Sequence, residues 1–336
     1  MANKRIASIE FMRFICMLII VSWHTKVQPL FSHGYLPVDF FFILSGVFIY
    51  KAAYQKNAPP SPFDFTYKKI RKFFPKYLVA SLFAFCVIVL FRNWHYQYEL
   101  VTIEHLFRLF TELLFFQQVG TVWPGTGAIN GPMWYLSVLI IGGGLLYNFA
   151  YKSTRFLSCF APCIVIFGYT FLENETHGDF SEFNLLCFIR ISFMRGACGM
   201  AFGMLVGALA TKGEIFSNKV MREVFFLLGI IGMAYCLISE RHWDLYFCIF
   251  SAIVIYFCLE KTSLINKIIN KEIFLKMGDI TYDMLLLHFP INILWSHTIG
   301  IHLMPWLSVL LLLAFNVLVA YLFNVIFRKS PLKSWI

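Results

Sequence analysis

Arg13 and His24 stand eleven residues apart inside one almost unbroken apolar run that begins at Ile6. An α-helix turns 100° per residue, so eleven residues return to within about 20° of the same face, about 16 Å further along the axis. A guanidinium is a permanent cation whose planar fork suits carboxylate or phosphate. An imidazole is the side chain that gives and takes a proton near neutral pH. One helix face therefore offers an anion site and a titratable base in line. Glu10, one turn before Arg13, shares that face. It supports a plainer account, a structural Glu10–Arg13 pair with His24 at an interface. Ionisable groups in a span cost roughly 2.5–3.5 kcal/mol on insertion and usually face protein or a wet cavity. We therefore read a polar track through a helical bundle.

The elements that must position this track follow from composition. The 336 residues are 59% hydrophobic and 14% charged, and the mean hydropathy is +0.71. A soluble globular chain has a different balance. Apolar runs of near 20 residues recur, each long enough to cross about 30 Å of hydrocarbon as a helix. The expectation is an all-α polytopic membrane bundle with about ten spans. They fall near 8–29, 35–54, 73–91, 132–151, 156–172, 187–210, 223–239, 244–260, 280–298 and 303–327. The segment 105–119, with Arg108 and Glu112, reads as a surface or re-entrant piece. No cleavable leader, repeat or appended soluble domain is expected, so residues 1–336 read as one membrane domain.

Charge then orients the bundle. With the N-terminus inside, the inner loops collect Lys4, Arg5, Lys51, Lys56, Lys68, Lys69, Arg71, Lys72, Lys76, Lys152, Arg155, Lys212, Lys219, Arg222, Lys261, Lys267, Lys271, Lys276, Arg328, Lys329 and Lys333. The opposite loops hold Glu99, Glu104, Glu173, Glu175, Asp179, Glu182, Glu240 and Asp244. This is the positive-inside pattern with both termini cytoplasmic. It accounts for most of the net charge of +10, together with attraction to anionic lipid, and no nucleic-acid partner is needed. The nine cysteines are scattered and form no CxxC, which argues against a metal or disulfide framework and for small packing residues.

The ordered motifs resemble those of the integral-membrane acyltransferase-3 family, whose members acylate sugars of bacterial surface polysaccharides. Arginine, ten residues and histidine on the first span is one such motif. "GYLPVDFFFILSGVFIY" (34–50), "YKKIRKFFPKYL", "GPMWYLSVL", "FIRISFMRGACGMAFGMLVG" and "GDITYDMLLLHFP" follow in family order, from about residue 5 to 328. Two departures stand out. Lysines 69 and 72 occupy the places of two family arginines, and Leu139 stands where the family has a glutamate.

The resemblance implies acyl transfer from cytoplasmic acyl-CoA, most simply acetyl-CoA, to a sugar hydroxyl of a polysaccharide or lipid-linked glycan. The setting would be a bacterial cytoplasmic membrane, with no metal required. Such chemistry needs a base and a group that steadies the developing oxyanion. His24 is the candidate base, acting directly or through an acyl-histidine. Asp39 is a candidate to orient His24 through its other ring nitrogen, or else a helix N-cap. His288 is either a catalytic or substrate-positioning group or an interhelical hydrogen-bond partner. Arg13, Lys69, Arg71 and Lys72 are candidates for the donor's phosphates. Arg190, whose neighbour in sequence Arg195 is as oddly placed, would meet an outer carboxylate or the acceptor. Trp134, Tyr135 and Tyr282 are candidate acceptor contacts, the first two alternatively belt anchors. Ser45–Gly46 reads as a close helix contact, and His297 and His302 as solvated. The rival class is a transporter, which also uses charges within spans, although no matched pair of broken helices supports it.

Overall fold

The computed structural model describes residues 5–330 except 26–30, 56, 92–102, 119–127, 154, 182–184, 187–188, 216–217, 261–268 and 270. Residues 26–29 of the first expected span lie outside the described residues, as do Lys4, Lys56, Glu99, Glu182, Cys187, Lys261, Lys267 and Lys333.

Eleven helices build the described chain. They are α1 (Ala7–Trp23), α2 (Pro37–Tyr54), α3 (Pro62–Phe85), α4 (Ile103–Leu113), α5 (Gly131–Lys152) and α6 (Phe156–Thr176). Then come α7 (Ile191–Thr211), α8 (Lys219–Ile238), α9 (Asp244–Leu259), α10 (Glu272–His297) and α11 (Pro305–Lys329). A two-residue antiparallel ladder, Leu185–Leu186 with Ile189–Arg190, precedes α7. Each of the ten expected spans thus contains a helix. Seven helices, namely α2, α3, α5, α6, α7, α8 and α11, are long and apolar enough to cross a membrane. α9 is shorter, and α1 and α10 carry the ionisable residues discussed below.

α3 begins eleven residues earlier than the apolar run that marked it. Ser61 caps the helix by accepting from the Asp64 N–H at 3.1 Å, and Pro62 at the first position fits the helical φ. The basic stretch is therefore the first half of a helix, and its lysines stand on defined faces. Hydropathy alone cannot see this, because charges lower it without weakening the helix. α4 overlaps the expected surface segment, beginning two residues before it. At eleven residues it is too short to span; it buries Thr111 and Glu112 and exposes Ile103, Leu106, Phe107 and Phe110.

Burial separates inner from outer helices. In α5, 67% of the apolar window is buried, against 28% in α6 and α11. α2, α5 and α7 form the centre, and α6, α8 and α11 present apolar residues outward. The tightest contact is α2 on α7. A Cβ at Gly46 would stand 1.9 Å from the Met200 carbonyl oxygen, and one at Gly203 1.8 Å from that of Ile43. Only glycine permits that backbone approach. Near the two ends of the chain, Arg5 and Arg328 both reach Asp279, two turns into α10, so these ends share one face of the bundle.

Candidate active site

A cavity of about 610 Å³ opens among α1, α2, α3, α5, α10 and α11. α1 contributes Arg13, Met17, Ile20 and His24, which follow each other at four, three and four residues and so form one helical stripe. One continuous space therefore touches both Arg13 and His24. Trp134, Tyr135 and Tyr282 line it too. Arg5, Lys72, Lys76 and Arg328 add cationic lining, with Glu10 and Asp279 among them.

His24 ends α1. Its Nδ1 lies 2.9 Å from the Ile20 carbonyl oxygen. A carbonyl only accepts, so Nδ1 carries the proton and the Nε2 lone pair is left for chemistry. The ring meets that of His288 edge-on, with centroids 5.1 Å apart, and Phe289 at 6.0 Å. His288 is fully buried behind His24 and does not line the cavity. Its Nδ1–H is shared between the Met284 and Leu285 carbonyls, each at 3.0 Å. Its Nε2 is buried with no hydrogen-bond partner among the described residues. Two imidazoles of the same tautomer thus stand together, one facing the cavity and one behind it.

Arg13 joins both of its readings. It lines the cavity and also donates to Glu10 Oε2 at 2.6 Å, while Arg5 Nε donates to Glu10 Oε1 at 3.1 Å. Glu10 nests on Gly278, where a Cβ would fall 1.9 Å from its carboxylate. Lys72 lines this cavity and a second one of about 570 Å³, which Ser45, Phe48, Phe73 and Leu139 also share. Lys69 lines only the second and lies 4.6 Å over the Phe65 ring. Arg71 is exposed and lines neither. Tyr282 donates its hydroxyl to the Phe73 carbonyl at 3.0 Å, and the Tyr135 and Ser45 hydroxyls are 3.4 Å apart.

Asp39 is placed elsewhere than on His24. Arg195 Nε donates to its Oδ1 at 2.9 Å and Arg195 NH2 to its Oδ2 at 2.7 Å. Both side chains are buried, at 2% and 0% exposure. Arg195 also donates to the Phe180 carbonyl at 2.7 Å. The expected Asp39–His24 contact is therefore corrected: a guanidinium takes both carboxylate oxygens, and a backbone carbonyl takes the histidine proton. The N-cap alternative fails as well, since α2 has no side-chain cap. The arginine that the sequence left oddly placed, Arg195, is explained by this pair. Arg190 lies off the cavity, with its backbone N–H donating to the Gln118 carbonyl at 3.3 Å.

Sequence reasoning did not single out the Lys76–Asp283 pair. Lys76 Nζ lies 2.7 and 2.8 Å from the two Asp283 oxygens, with Asn324 donating to the same carboxylate. The signal was present: two expected spans each carried one charge, of opposite sign. Such charges usually find each other.

A scan of family models matches an acyltransferase domain, that of the acyltransferase-3 family, to residues 6–325. The chain belongs to that family. It is a multi-pass membrane acyltransferase, which decides against the transporter alternative. No curated protein and no solved structure matches it.

Proposed function

We propose that the protein moves an acetyl group from cytoplasmic acetyl-CoA to a sugar hydroxyl of a surface polysaccharide or lipid-linked glycan, in a bacterial cytoplasmic membrane. Residues 1–336 act as one membrane domain with both termini in the cytoplasm. The observation that carries this reading is the single cavity lined by Arg13 at one level of α1 and His24 three turns further on.

The donor's phosphates would sit against Arg13, Lys72 and, through the adjoining cavity, Lys69. Arg71, exposed and off both cavities, contributes attraction at the entrance. The pantetheine arm then lies along the cavity and brings the thioester toward His24. The acceptor hydroxyl attacks the thioester carbonyl while His24 Nε2 takes its proton. A C–O bond forms, the C–S bond breaks, and the CoA thiolate leaves with the proton returned from the imidazolium. His288 acts as a positioning residue behind His24, holding its ring against the cavity. Trp134, Tyr135 and Tyr282 shape the acceptor space with aromatic faces and hydroxyls. Arg190, by its distance from the cavity lining, is at most an outer acceptor contact.

Two results test the frame. Arg13→Ala weakens acyl-CoA binding by about 10- to 100-fold, the scale of a charge-assisted contact; Lys69→Ala and Lys72→Ala act in the same direction but less, since neighbours replace a point charge. Calorimetry with non-hydrolysable acyl-CoA reads this, and unchanged affinity in Arg13→Ala makes that residue purely structural. Introduced single cysteines at 56–64 and in the C-terminal tail resist an impermeant thiol reagent from outside, whereas those at 173–182 react. Outside labelling of 56–64 would reverse the orientation.

A further inference from the structure

We infer that the end of the bundle where α1 finishes carries a site for one divalent transition-metal ion of the zinc type, with Asp179, His242 and Asp244 as its ligands. The three come from two connections that are distant in sequence. Asp179 follows a turn in which His177 (φ 51°) and Gly178 (φ 87°) both take left-handed backbone after α6. His242 and Asp244 stand at the α8–α9 connection. One ligand atom from each lies within 4.8 Å of the others, and His242 Nδ1 is 3.8 Å from Asp179 Oδ1. Ligands of a tetrahedral zinc ion sit about 3.3 Å apart, so a small inward shift of His242 and the partly exposed Asp179 toward buried Asp244 closes the set.

Two further observations point to a cation. His33 is 6% exposed, yet its Nε2 has no hydrogen-bond partner among the described residues. Its ring stands edge-on to that of His242 with centroids 4.7 Å apart, and its Nδ1 is 3.4 Å from the Tyr35 hydroxyl. That hydroxyl is 3.2 Å from His242 Nδ1 and donates to Asp244 at 2.9 Å. A second imidazole and a phenol therefore converge on the same spot. The other observation is charge. Asp244 is 1% exposed and receives hydrogen bonds from the neutral Tyr35 hydroxyl and Phe180 N–H, while the nearby Arg195 guanidinium is bonded to Asp39. Asp39 and Asp244 thus share one guanidinium, Asp179 adds a third carboxylate beside Asp244, and a divalent ion restores balance.

Imidazole with carboxylate favours zinc over calcium or magnesium, which prefer oxygen sets. No cysteine takes part, so cysteine spacing could not reveal the site. The half-exposed His242 and Asp179 give an entry path from solvent. Bound there, the ion ties the α6–α7 connection to α8–α9, and through Tyr35 to the segment before α2. Its role is that of a clip on this end of the bundle, away from the acyl-transfer cavity.

The full chain, purified in detergent and stripped with a chelator, tests this by zinc titration calorimetry, metal analysis and thermal denaturation. Wild type takes up one equivalent of zinc and melts at a higher temperature with it. His242→Ala and Asp179→Asn, which alter one exposed and one partly exposed side chain, remain folded, lose the thermal shift and bind zinc at least ~10-fold more weakly. Equal zinc uptake and thermal shift in wild type and both variants, or a wild-type preference for calcium or magnesium, would overturn the assignment.

Discussion

His24→Ala leaves a folded protein that still binds acyl-CoA but transfers acyl groups about 10²–10⁴-fold more slowly, and more slowly still if the imidazole also forms an acyl-enzyme. The size follows from geometry. Ile20 holds the Nδ1 proton, so Nε2 is the one basic nitrogen that this residue presents to the cavity. Replacing it removes the proton acceptor and leaves the cationic lining intact. His288→Ala is the informative companion. Because His288 does not line the cavity, its loss lowers turnover through the position of His24 and leaves donor affinity unchanged. Release of free CoA by purified variants, followed with a thiol reagent, separates the two. A fully active His24→Ala with an inactive His288→Ala would exchange their roles.

Asp39→Ala destabilises the protein by about 3–5 kcal/mol, because it strands the buried Arg195 guanidinium without its bidentate carboxylate. Thermal denaturation in detergent reads the loss. Replacing both members, as in Asp39→Leu with Arg195→Met, recovers part of it, since the guanidinium leaves together with its bidentate partner while Asp244 loses a nearby cation. The pattern distinguishes a structural ion pair from a catalytic one. If Asp39→Ala melts like wild type yet loses turnover, Asp39 serves His24 after all.

How far the sequence led differs from residue to residue. The Arg13–His24 relation was legible because it is local: a fixed helical period puts both on one face, and the observed lining of α1 follows that period. The start of α3 was not, since hydropathy registers apolarity whereas Ser61 and Pro62 set where the helix begins. Asp39 shows a different limit. Its depth was readable, but its partner comes from α7, far along the chain, and proximity in sequence favoured His24. Lys76 and Asp283 belong to the same kind of long-range pairing. For them, a rule that buried charges seek partners was available, and the partner itself was a matter of packing. Ser45–Gly46 was legible as a close contact; the structure adds that Gly203 is its counterpart.

The central claim is that one cavity joins a donor entrance at Arg13 to a reacting base at His24, so that donor and acceptor meet from opposite faces of the membrane. Sealed proteoliposomes with the N-terminus facing the lumen test it, loaded with labelled acetyl-CoA inside and given the glycan acceptor outside. Label appears on the external acceptor with wild type and falls by at least about 100-fold with His24→Ala. Label that appears only when donor and acceptor share one compartment would contradict it.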